Sequence, residues 1–117
     1  MASKVLGKKL ELDCVYKDGV FQLLSIAELK DYIEGQKTDT TIGYVYEVVD
    51  LNDFDKLRIK IKGQKKPLIA IEELQKLREL REKVFVEFAN ATITPYWNGK
   101  SVEDSFSADD VGLVETE

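Results

Sequence analysis

From Asp55 to Pro67 the chain reads DKLRIKIKGQKKP, with Leu57, Ile59 and Ile61 on one parity and Lys56, Arg58, Lys60 and Lys62 on the other. Strict alternation is the mark of a strand with one buried side, so this stretch predicts a strand whose open face is cationic. The preceding TIGYVYEVVDL is rich in β-branched and aromatic residues and predicts its partner strand, joined through a turn at Asn52 and Asp53. Nearer the N-terminus, KKLELDCVYKDGVFQLL places Asp18-Gly19 between two apolar runs and predicts a hairpin. Leu12, Cys14 and Tyr16 fall two apart within it, which makes Cys14 a small buried strand residue.

Helical spacing is expected in two places. Ser25 and Glu28 have the separation of a capping box, and Ile26, Leu29 and Ile33 follow on one helical side, predicting a short helix to about Gly35. The polar GQKTDTT then reads as a loop, with 37–40 the most mobile connection of the first half. After Pro67, IEELQKLRELREK places Ile71, Leu74, Leu77 and Leu80 on one side of a second helix. KVFVEFANATITPYW returns to strand with Pro95 at its edge or end, Asn98 to Lys100 supply a turn, and VEDSFSADDVGLVE is the returning strand. The acidic last residues are expected to be free of the fold.

Composition sharpens this picture. At 117 residues, 44% apolar and 33% charged, the chain is the size of one soluble domain with one core. It has neither a bilayer-spanning apolar run nor a signal-peptide h-region, which points to the cytoplasm. The single cysteine excludes an intrachain disulfide. The absence of histidine removes the usual neutral-pH base and the usual zinc nitrogen ligand, so neither an enzyme nor a metal or other cofactor is expected.

Charge is unevenly distributed. Residues 1–55 carry net −5, residues 56–83 net +6 and residues 84–117 net −6, for a total of −5. A local cationic field attracts polyanions even on an acidic protein, so the run Lys56, Arg58, Lys60, Lys62, Lys65 and Lys66 is a candidate nucleic-acid contact. A lysine-guarded sheet edge is the alternative use of such a strand.

Aromatic rings supply the second ingredient, because an unpaired base offers a flat face on which a ring stacks. Tyr44 and Tyr46 share one strand face and serve equally as core or as stacking residues, as does Phe106. Tyr96 and Trp97 are adjacent, so they point to opposite faces and at least one lies outside the core, with Trp97 the first stacking candidate. Two other motifs carry nothing. Gly99-Lys100-Ser101 lacks the glycine a phosphate loop needs five positions earlier, where Thr94 stands, and DLNDFD lacks the glycine and glutamate of a calcium loop.

A small twisted antiparallel sheet with a helix between its third and fourth strands is the plan of the oligonucleotide-binding (OB) fold, and a mostly β, five-stranded Greek-key barrel with one or two short helices is expected. From about Gly43 to Val114, through GYVYEVVDLNDFDKLRIKIKG, KVFVEFANATITPYW and SFSADDVGLV, the chain also resembles small single-stranded-DNA-binding proteins of bacteriophages that infect lactococci and related Gram-positive hosts. The resemblance implies coating and protection of single strands during phage replication or recombination in the host cytoplasm, without catalysis. Bacterial relatives often end in an acidic tail closing on Pro-Phe that recruits replication enzymes; this chain ends ADDVGLVETE, without that ending. A homodimer or larger assembly is expected from the narrow binding face of one small domain. The runner-up is a non-enzymatic interaction or assembly module that docks an acidic partner on the same basic face.

Overall fold

The computed structural model describes residues 10–12 and 19–114. Cys14, Tyr16 and half of the expected Asp18-Gly19 turn lie outside these residues, as does the acidic end at 115–117. Two long strands dominate: β2 (Phe21–Ile33) and β3 (Gln36–Asp50) pair antiparallel over nearly their whole lengths. Their two-residue turn, Glu34-Gly35, has positive φ at both positions, as a tight hairpin of the primed type requires.

This hairpin overturns two expectations. The segment expected as helix from Ser25 to about Gly35 is strand through Ile33 followed by the Glu34-Gly35 turn, and 37–40 belongs to β3 rather than to a loop. The cause lies in the register: Leu23 faces Val48 and Ser25 faces Glu47, so Leu24 is an extra residue in β2, and further irregularities follow at Leu29/Lys30 and Lys30/Tyr32. An inserted residue turns a two-residue repeat into a three-residue one. The buried positions Leu23 and Ile26 therefore stand three apart while both face the core, which imitates helical spacing.

β4 (Lys56–Lys62) pairs antiparallel with β3 and follows the expected alternation, with Leu57, Ile59 and Ile61 almost fully buried. The β3–β4 turn is held by Asp50, whose buried carboxylate accepts the Asp53 N–H at 2.7 Å. Gly43 of β3 lies so close to β4 that a Cβ there would overlap the Ile61 carbonyl oxygen.

The helix α1 (Ile71–Glu79) ends earlier than its sequence pattern suggests. Leu74 enters the core, Ile71 and Leu77 are half-buried, and Leu80 is exposed, a departure from the expected helical face. Arg78 ties the helix to β2 by donating from Nη1 to the Leu24 carbonyl at 2.8 Å, using the backbone of the inserted residue.

The remaining strands are β1 (Leu10–Glu11), β5 (Val84–Ala89), β6 (Thr92–Trp97), β7 (Val102–Ser107) and β8 (Asp110–Leu113). β6 and β7 form a hairpin closed at Asn98–Ser101, where Gly99 has φ +97 and the Asn98 Oδ1 accepts the N–H groups of Lys100 and Ser101. Pro95 sits within β6, opposite Asp104 of β7, and its missing N–H is tolerated because β1 pairs with β6 only at Thr92 and Ile93.

The hydrogen-bonded order is β1-β6-β7-β4-β3-β2-β5-β8, an open eight-stranded sheet in place of the expected closed five-stranded barrel, with one helix. All neighbours are antiparallel except β4 and β7, which run parallel through Ile59↔Phe106 and Lys60↔Ser107. Short breaks at Asn90-Ala91 and Ala108-Asp109 separate β5 from β6 and β7 from β8, and the Asn90 amide donates across them to the Asp109 carboxylate at 3.0 Å. One core, built around Phe21, Leu23, Tyr46, Val48, Ile59 and Val86, lies on the inner side of the sheet. Among the described residues no helix is long and apolar enough to cross a membrane.

Candidate nucleic-acid interface

Burial of Leu57, Ile59 and Ile61 forces the alternate residues of β4 outward. Lys56, Arg58 and Lys62 are exposed, and Lys60 is half-buried with its Nζ 3.5 Å from the Ser105 Oγ of the neighbouring strand. The face is not uniformly cationic, because Glu47 of β3 stands directly opposite Arg58. Lys65 and Lys66 extend the basic run into the exposed connection that follows β4.

The structure divides the expected aromatics. Tyr44 and Tyr46 pair with Ile61 and Ile59 and so lie on the inner side of the sheet, away from the lysines. Tyr46 is fully buried: its hydroxyl donates to the Gln64 Oε1 at 2.6 Å and accepts the Leu68 N–H at 3.0 Å. A ring so enclosed cannot stack on a base, and its work is to anchor the connection that carries Lys65 and Lys66. Burial also pushes the Tyr46 hydroxyl pKa above the ordinary tyrosine value. Tyr44 is half-buried against the core, as is Phe106.

Tyr96 is opposite Glu103, on the side of the β6–β7 hairpin shared with Thr94, Ser105 and Ser107, and Ser107 is the register partner of Lys60. Trp97 faces the other way, opposite Val102, and the two form an exposed apolar pair. The first stacking candidate from sequence therefore lies on the side of β6 away from Lys60, and its neighbour Tyr96 on the side shared with it. Tyr96 remains 40% exposed while its hydroxyl donates to the Glu103 Oε2 at 3.1 Å. That hydrogen bond, followed by desolvation and the Glu103 charge, raises the Tyr96 hydroxyl pKa.

These side chains meet in an open groove of about 700 Å³ lined by Lys60, Lys62, Thr94, Tyr96, Ser105 and Ser107, with Ala108 and Asp109 at its end. Cations form one wall, hydroxyls the floor and an aromatic ring the other wall. Phosphate, sugar and base each find a matching surface in such an arrangement. Among the described residues, no lysine or arginine lines a smaller cavity of about 280 Å³ between Leu12, Phe21 and Phe88.

Sequence reasoning missed the hydroxyl floor, although Thr92/Thr94 and Ser105/Ser107 repeat with period two and sit opposite one another in register. It also missed Tyr32 and Ile33, each 62% exposed beside the β2–β3 turn, because the segment read as helix. The pair Glu34-Gly35, placed between two apolar-containing runs, was the available turn signal. No protein-family model matches the chain, and neither a curated protein nor a solved structure matches it.

Proposed function

We propose that the chain binds single-stranded DNA, coating and protecting it during phage replication or recombination in the cytoplasm of the host. The observation that carries this reading is the convergence of Lys60, Lys62, Tyr96 and three hydroxyls in one open groove. Backbone phosphates would lie along β4, with Lys56, Arg58, Lys65 and Lys66 extending the track, and an unpaired base would stack on Tyr96.

The connectivity supports a finer reading of the fold. Taking β5 and β6 as one strand bent at Asn90, and β7 and β8 as one bent at Ala108, the pairings run β2-β3-β4-β7/β8-β5/β6 and return to β2. We read that circuit as the plan of a five-stranded OB barrel with its helix between the third and fourth strands. In such barrels the second and third strands bind oligonucleotides between two flanking loops. Here those strands are β3 and β4, and the loops are Glu34-Gly35 and Asn98–Ser101.

A second reading, a non-enzymatic interaction module, is favoured by the exposed Trp97–Val102 pair, which suits a protein partner or a second copy of the chain better than a base. Fluorescence anisotropy with labelled single-stranded and duplex oligonucleotides separates the two. Saturable, salt-sensitive binding of the single strand in preference to the duplex is expected, and its absence would leave the interaction module standing.

A further inference from the structure

The two walls of the groove differ in charge as well as shape. β4 contributes Lys60 and Lys62, whereas carboxylates stand at the groove's margins: Asp109 at the end of the lining, and Glu103, just outside it, on the Tyr96 hydroxyl. Each carboxylate is oriented by one internal donor, Tyr96 Oη at 3.1 Å for Glu103 and Asn90 Nδ2 at 3.0 Å for Asp109. A carboxylate has about four lone-pair sites, so both retain acceptor capacity. Carboxylates are misplaced in a groove that holds only phosphates; they suit one in which phosphates follow one wall and base edges meet the other.

Resting on the single-strand reading above, we infer that the groove discriminates among bases, favouring those that present an exocyclic amino group and disfavouring thymine and uracil. A base stacked on Tyr96 brings an edge toward the hydroxyl end of the ring, where Glu103 waits. Cytosine offers the N4 amino donor there and adenine the N6 amino donor, both of which a carboxylate accepts. Thymine and uracil place the O4 acceptor at the same position, and two acceptors face each other without a proton. Stacking and backbone flexibility alone would not supply this preference, since sequence-tolerant single-strand binders favour pyrimidine runs on grounds in which dC and dT differ little.

The test is anisotropy titration of the full chain with labelled oligo-dC and oligo-dT of about 20 nucleotides, enough to span one site. The expected result is dC bound about 10-fold tighter than dT, the scale of one hydrogen bond to a charged acceptor. In Glu103→Gln the ratio should fall toward one, because an amide offers a donor to thymine as well as an acceptor to cytosine. Tyr96→Phe keeps the ring but removes the donor that orients Glu103, and should also lower the ratio. Equal affinity of the unmodified chain for dC and dT, or a ratio that survives both substitutions in variants of normal melting temperature, overturns the inference and leaves single-strand binding intact. Failure to bind either oligonucleotide overturns the reading on which it rests.

Discussion

Tyr96 and Trp97 are neighbours in sequence, yet they lie on opposite sides of β6, and only Tyr96 shares a side with Lys60. Tyr96→Ala should therefore weaken single-strand binding by about 1–3 kcal/mol, the usual loss for a stacking platform. Trp97→Ala should leave affinity within about twofold, since the indole faces Val102 outside the groove. Titration of both variants with one oligonucleotide checks the pair, and equal losses would place the site elsewhere.

The cationic wall predicts a salt effect. Each phosphate neutralised on a single strand contributes about −0.7 to the slope of log affinity against log salt. Replacing Lys60 and Lys62 by Gln should flatten that slope more than replacing Lys65 and Lys66, which lie outside the groove lining. Titrations at several salt concentrations measure the slopes directly.

Tyr46→Phe should destabilise the fold by about 1–3 kcal/mol, because the Leu68 N–H and the Gln64 amide oxygen both lose their partner. Equilibrium denaturation gives the value.

The same hydroxyl makes stability depend on alkaline pH. Its folded pKa is raised above 10.0, so above that pH the folded state holds a proton that the unfolded chain has released. Stability is then full below pH 10 and declines as pH rises toward the folded pKa. Tyr46→Phe should remove this part of the alkaline loss, seen as a flatter profile of melting temperature above about pH 10.

Gly43→Ala should cost about 2–3 kcal/mol, the scale of overpacking, because the new methyl group meets the Ile61 backbone instead of a yielding side chain. A melting scan at neutral pH is sufficient. The variant that does fold should show a displaced β3–β4 pairing by amide exchange, since relief requires the two backbones to part.

Wherever one residue in two faced the core, the sequence was legible: β4, the second half of β3 and the β6–β7 hairpin with its Asn98 turn all follow from alternation and turn chemistry. β2 was legible as strand only up to Leu24; from Ser25 on it was not, because bulges change the spacing of Leu23 and Ile26, and no local property of Ser25 or Glu28 distinguishes a bulged strand from a capped helix. The six basic residues could be proposed from parity and charge, and of these Lys60 and Lys62 line the groove. Which ring joins them could not, for the parity of Tyr96 relative to Lys60 is set by the parallel β4–β7 pairing, which involves segments far apart in the chain. Tyr44 and Tyr46 were ambiguous until register put them opposite Ile61 and Ile59.

That parallel pairing also fixes when the groove comes into being. Lys60 and Ser105 are 45 positions apart, and no hairpin turn brings them together. The cost of closing so long a loop is met only once helix α1 and the β6–β7 hairpin are in place. A chain still emerging from the ribosome, or one that has formed only the β2–β3–β4 meander, presents lysines without a facing wall. Such a chain bears one cationic strand face on a segment of nearly balanced charge, and acquires an aromatic and hydroxyl-bearing surface beside those lysines only with its final third.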